Sequence, residues 1–203
     1  MGQIITDLST VYHVGFLNPA CPIRYQPAGY SFEGNGLSVS TYPEEWMKIA
    51  KLGGGSKFRL SKDSPLFLNA HDRVNQASAL KWALDAEMIK KIEAFRVSYF
   101  DDEYGEELCS DYLTLEEAQQ EAPEDENISK IEGYQVTDHM MPYFKTGISP
   151  GLVMSKDYAL IWYAEAAGLD GVWWNDEYAP ELLSAPRGVI FQNKLDEWKI
   201  EPA

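Results

Sequence analysis

The run Gly168-Leu169-Asp170-Gly171-Val172-Trp173-Trp174-Asn175-Asp176-Glu177 organises the reading of the whole chain. Before it, Ser155 can cap a helix on which Ala159, Leu160, Tyr163 and Ala167 recur at helical spacing, and Gly168 sits where a left-handed stop is wanted. Gly171-Val172-Trp173-Trp174 then reads as a short buried strand that delivers Asn175, Asp176 and Glu177 to its end. Tyr178-Ala179-Pro180 breaks the pattern, and Gly188-Val189-Ile190-Phe191 makes a second strand. Carboxylates at the mouth of two apolar strands are poor packing material, so they are either a solvated acidic loop or a site.

Working outward, the 203 residues suffice for one domain with a substantial core, or for a core domain carrying an insertion. A hydrophobic fraction of 45% and an aromatic fraction of 13% belong to a folded chain. Seventeen Lys and Arg against 32 Asp and Glu leave a net charge of −15. That charge argues against a nucleic-acid groove, whose affinity comes from basic residues, and against an anionic membrane surface. It suits a basic protein partner, or an inhibitor that imitates the duplex in front of a DNA-binding protein. Cys21 and Cys109 lie far apart with no paired-ligand spacing, and His71 and His139 have no neighbours at metal spacing, so no metal site is expected. The first residues lack the layout of a signal peptide and no run approaches membrane-spanning length; a cytoplasmic protein is expected.

Upstream, Thr10-Val11-Tyr12-His13-Val14 is a β-favouring run, followed by a loop containing Pro19, Pro22 and Pro27. Glu33-Gly34-Asn35-Gly36 is a tight turn into the alternating strand Leu37-Ser38-Val39-Ser40. Thr41 and Glu44 have capping-box spacing around Pro43, which starts a helix carrying Trp46 and Ile49. The triple glycine at 53–55 runs from helix to strand and lacks the lysine and hydroxyl of a phosphate loop, so it reads as a connection. Phe58-Arg59-Leu60 resumes as a strand that Leu66-Phe67-Leu68 extends or follows, and from Val74 to about Ala94 the apolar spacing predicts a helix.

The character then shifts. Phe95 to Phe100 and Leu108 to Leu113 form a hairpin, Thr114-Leu115-Glu116-Glu117 opens a capped helix, and Ile128 to Val136 is a third strand. This gives an inserted acidic ββαβ unit over 94–138, within a core of 1–93 and 139–203. Twelve acidic residues and no Lys or Arg lie between Asp101 and Glu126, so the acidity of the protein is mainly that of this unit. It is either a solvated face or a dock for a basic partner.

Polar residues fall at strand ends in three places: Tyr12 with His13, Ser38 and Ser40 with Tyr42, and Asp176 with Glu177. Each has a plain explanation, such as a histidine hydrogen-bonded within a sheet. Together they suit cleavage of an N-glycosidic bond, which builds positive charge on a ribose. A carboxylate beside that ribose stabilises the charge and can accept from the 2′-hydroxyl, a charge-assisted bond contributing about 1.5–3 kcal/mol.

His13 in Val11-Tyr12-His13, the Leu-Ser-Val-Ser strand leading to Thr41-Tyr42-Pro43, and Gly168-x-x-Gly171-Val172-x-x-x-Asp176-Glu177 resemble, in this order, the mono-ADP-ribosyltransferase-like family. The similarity is to its small, divergent phage- and mobile-element-borne branch, including the anti-CRISPR type. It spans residues 10 to about 92 and 145 to 200. The resemblance implies an α+β fold with an ADP-ribosyltransferase-like split β-sheet core, NAD as substrate, and transfer of ADP-ribose to a macromolecular acceptor, a protein. His13 would contact the adenosine ribose, with Tyr12 counted beside it among the NAD-binding residues; Ser38 and Ser40 would shape the nicotinamide pocket with Tyr42 as stacking partner, and Arg187 would clamp the pyrophosphate. Asp176 or Glu177 would be the catalytic carboxylate. The middle motif is Ser-Val-Ser rather than Ser-Thr-Ser, and no Glu-x-Glu or Gln-x-Glu pair occurs, which leaves both carboxylates open. Two other functions stay open: NAD hydrolysis without transfer, and a non-enzymatic acidic inhibitor that covers a basic nucleic-acid-binding surface.

Overall fold

The computed structural model describes residues 1–17, 36–49, 56–101, 106–122, 127–137, 152–179 and 184–203. Cys21, Arg24, His139, most of the turn at 33–36, the triple glycine, the hairpin tip at 102–105 and the loop before Leu152 lie outside the described residues. The elements are β1 (Ile4–Ile5), β2 (Thr10–Val14), β3 (Leu37–Ser40), α1 (Pro43–Ile49), β4 (Lys57–Ser61), β5 (Phe67–Asn69), α2 (Arg73–Asp85) and β6 (Ile89–Asp101), followed by β7 (Glu106–Tyr112), α3 (Leu115–Glu121), β8 (Asn127–Val136), α4 (Leu152–Ala166), β9 (Gly171–Trp174), β10 (Arg187–Ile190) and β11 (Lys199–Pro202). The fold is α+β. Its chain divides into two units, Met1–Lys81 with Leu160–Ala203, and Trp82–Ala159, the second interrupting the first and wider than the span 94–138.

The first unit holds one eight-stranded sheet in the order β1-β5-β9-β10-β3-β2-β4-β11. Among the described strands of this sheet, β5 and β9 run parallel and the other neighbouring pairs are antiparallel. All four residues of β9 are buried, as expected of an apolar run without polar alternation. Alternation sends Val11, Val39, Leu60 and Trp173 to one face, where they pack with Leu37, Phe67, Ile190, Leu195 and Trp198 in one apolar core. Trp198 brings the tail onto this core, 6.0 Å from the Phe67 ring, and β11 pairs with β4.

Asp170, 3% exposed, ties this sheet together just ahead of β9. Its carboxylate accepts from the Leu66 N–H at 2.7 Å and from Lys62 Nζ at 2.6 Å, and Lys62 also pairs with Glu197. Burial works against the Lys62 charge, yet Asp170 and Glu197 hold its ammonium above the ordinary lysine value. Gly168 ends α4 with φ +74°, the left-handed stop read from the sequence.

A second polar knot fixes the turn after β5. Asn75, fully buried, accepts from the Gly2 N–H at 2.7 Å and donates to the carbonyls of Gln3 (2.7 Å) and Asn69 (3.1 Å). The Ala70 N–H donates to the Trp173 carbonyl at 2.9 Å, and Gln76 donates to the Ala70 carbonyl at 2.8 Å. The strand β1, absent from the sequence reading, is held by β5 through Ile4–Leu68 and Ile5–Phe67.

In the second unit, β7, β6 and β8 form an antiparallel sheet in the order β7-β6-β8, with α3 between β7 and β8 in the chain. The Thr114 capping box is present: its hydroxyl accepts from the Glu117 N–H, and Glu117 accepts from the Thr114 N–H, both at 3.1 Å. Arg96 makes a forked pair with Asp111 directly across the ladder, at 2.7 and 2.9 Å.

Among the boundaries that differ from the sequence reading, three bear on how the elements are held. The helix expected to reach Ala94 stops at Asp85; Glu87 turns the chain at φ +55°, and β6 pairs with β8 from Ile89 onward. Ten ladder pairs with β8 outweigh the helical spacing of Met88 and Ile92. Helix α4 begins at Leu152, ahead of the expected cap Ser155. In α1 the Trp46 N–H donates to the Tyr42 carbonyl, so Tyr42 rather than Thr41 holds the capping position before Pro43. Among the described residues, no helix is long and apolar enough to cross a membrane.

Candidate functional site

Register places one row of residues across six strands. Glu201 lies opposite Arg59, Arg59 opposite Tyr12, Tyr12 opposite Ser40, Ser40 opposite Arg187, and Arg187 opposite Trp174. Residues directly opposite one another project from the same face, so this row stands on the side of the sheet away from Val39 and Trp173. Arg59 pairs with Glu201 at 2.6 Å at one end of the row. Arg187 and Trp174 occupy the other, with the guanidinium 5.7 Å from the indole centroid.

At that end the expected residues converge in part. Asp176, two residues past β9, accepts from Arg187 Nε through Oδ2 at 3.3 Å. Its Oδ1 lies 3.0 Å from His71 Nε2. Tyr42 and Tyr178 stack with ring centroids 4.7 Å apart and planes 21° from parallel, and both rings are exposed. Asp176 is about three-quarters buried and His71 about half. Glu177 is exposed and makes no hydrogen bond or ion pair to the described residues. A carboxylate held from two sides is the better ordered of the two.

Ser40 is fully buried, and its hydroxyl is committed to the backbone. It donates to the Pro186 carbonyl at 2.6 Å and accepts from the Tyr42 N–H at 3.0 Å. These bonds fix the approach of the segment before Arg187 and the turn that aims Tyr42. Ser38 shares the face of Ser40 and lies opposite Val189, half-buried.

His13 goes elsewhere. It alternates with Tyr12, so its ring belongs to the side of Val11, where it is 4% exposed with the Phe58 ring 6.4 Å away. Its Nδ1 donates to the Ser38 carbonyl at 2.8 Å. Burial lowers its pKa, although the carbonyls of Ser38 and Phe16 favour the charged form. The expected meeting of His13 with Asp176 is therefore not what the register gives; the imidazole that faces Asp176 is that of His71. Metal spacing does not single out this histidine, and its partner is 105 residues away. The available signal was its position just beyond a strand, in Asn69-Ala70-His71-Asp72.

The site can hold a negative charge in a fixed place beside a guanidinium, an imidazole and two exposed aromatic faces. Among the described residues, no three His, Cys, Asp or Glu side chains come together as metal ligands. Comparison of the chain with protein-family models, with curated proteins and with solved structures gave no match.

Proposed function

We propose that this protein cleaves the nicotinamide N-glycosidic bond of NAD and transfers the ADP-ribose to a macromolecular acceptor, with Asp176 as the carboxylate beside the reacting ribose. The observation that carries the reading is the clamping of Asp176 between His71 and Arg187, next to the Tyr42–Tyr178 stack. A carboxylate has about four acceptor positions. Two of those on Asp176 are used, which leaves room for a ribose 2′-hydroxyl. Because the side chain is already held, it opposes developing oxocarbenium charge without reorganising during the reaction.

In this reading Arg187 meets the pyrophosphate, and Tyr42 and Tyr178 offer ring faces to the departing nicotinamide. Tyr12 and Ser38 contribute from the same face of the sheet. Two features support an ADP-ribosyltransferase-like split sheet: β2 and β3 share the single register pair Tyr12–Ser40, and His13 reaches the Ser38 carbonyl beyond it. His13 then acts as a brace of the strands rather than a contact to the adenosine ribose.

The test is incubation of NAD, labelled on its adenylate half, with the protein and a cell extract. Label on a macromolecule supports transfer, and free labelled ADP-ribose identifies a hydrolase. Intact NAD in every condition sinks the proposal.

A further inference from the structure

We infer that His71 is the general base of this site, accepting the proton of the nucleophile that attacks the ribose; the inference rests on the NAD reading above. A carboxylate only accepts hydrogen bonds, so the 3.0 Å contact between Asp176 Oδ1 and His71 Nε2 requires the proton to be on Nε2. In the neutral ring the lone pair is then on Nδ1, and Nδ1 makes no hydrogen bond to the described residues. The side chain is 51% exposed, so an incoming acceptor can reach it.

Hydrogen bonds fix the turn that carries the ring. The His71 backbone N–H donates to Asn69 Oδ1 at 3.0 Å, and Asp72, the next residue, accepts from the Asn75 N–H at 2.9 Å. The turn is thus tied to the buried Asn75 knot on one side and to the carboxylate on the other. Among the described residues, the imidazole pairs with Asp176, which Arg187 holds from behind. This is the arrangement in which a carboxylate sets the tautomer and aim of a base.

The step balances as follows. The proton of an acceptor X–H passes to His71 Nδ1, and the electron pair left on X forms the bond to C1′ of the ribose. The C1′–N bond breaks with its pair returning to the ring nitrogen, so the pyridinium leaves as neutral nicotinamide. Asp176 stabilises the imidazolium formed on one side and the ribose charge on the other.

Three probes distinguish this role from mere support of Asp176: water, methanol and azide. Water and methanol must lose a proton on attack, whereas azide carries none. Wild type and His71→Gln are given NAD with each, and hydrolysis, methyl ADP-riboside and ADP-ribosyl azide are quantified by mass spectrometry. The substitution should lower the water and methanol products about 100-fold and leave the azide product within a few-fold of wild type. Equal loss of all three products overturns the base assignment, as does loss of none. A wild-type protein that consumes no NAD overturns the parent reading, and this one with it. Independently of turnover, imidazole nitrogen shifts of the full chain should place a proton on His71 Nε2; a ring whose single proton is on Nδ1 contradicts the inference.

Discussion

His71 Nε2 lies 3.0 Å from Asp176 Oδ1 although 105 residues separate them in the chain. They meet because β5 and β9 are parallel neighbours, with Asn69 opposite Trp173, so the chain leaves both strands at the same edge. The carboxyl ends of adjacent parallel strands are where side chains from distant segments converge. Arg187, arriving on the antiparallel neighbour β10, completes the cluster from the other side.

Arg187 should be sensitive to a change that keeps its charge. Lysine lacks the Nε donor to Asp176 and the planar group over Trp174. With a charge-assisted bond contributing about 1.5–3 kcal/mol, Arg187→Lys should raise KM for NAD about tenfold. Steady-state kinetics of nicotinamide release check this, and an unchanged KM contradicts it.

Asp170 should matter for stability and not for chemistry. Asp170→Ala removes the acceptor of the part-buried Leu66 N–H bond and leaves the Lys62 ammonium with only the exposed Glu197. The cost should be about 3 kcal/mol, with a smaller cost for Asp170→Asn, which keeps one acceptor. Urea denaturation of the two variants measures the difference.

The two glycines flanking Asp170 should respond differently to alanine. A Cβ on Gly171 falls 1.8 Å from the Val189 carbonyl oxygen on the neighbouring strand, which only a backbone shift relieves. A Cβ on Gly168 has open space around it and suffers only from the φ of +74°. Gly171→Ala should cost about 3 kcal/mol and Gly168→Ala about 1 kcal/mol, read from the same denaturation curves.

His13 makes stability fall on the acid side. Its folded pKa is lowered from 6.5 by burial, so above that value it is neutral in both states and adds no pH dependence. As the pH drops through 6.5 toward the lower folded value, the unfolded chain takes up a proton that the folded chain resists, and stability is lost. Urea midpoints near pH 7.5 and pH 5.5 should differ more for wild type than for His13→Gln; equal differences contradict the account.

Much of the first unit's sheet was legible because its strands are short, apolar and bounded by turn residues. Gly171–Trp174 and Leu37–Ser40 were read with the limits they have. The tail docks on the core through Trp198 and Ile200. Strand β1 was missed because two isoleucines carry no period of their own; its place comes from pairing with β5. The end of α2 was misjudged because Ile89 and Ile92 satisfy a helical spacing and a strand propensity equally, and the long ladder with β8 decides between them. Strand-end position singles out Asp176 and Tyr42, and Arg187 enters through the family resemblance, but a sequence does not say on which face a residue stands relative to a distant strand. For that reason the sequence alone groups His13 with Asp176 and leaves out His71 and Tyr178.

The most direct measurement is nicotinamide release from NAD by wild type and Asp176→Asn, with thermal melting of both confirming the fold. The substitution keeps the shape of the side chain and removes its charge. The account predicts release by wild type and a loss of about 100-fold or more in the variant at a similar melting temperature. Equal release by both proteins, or none by wild type, contradicts it.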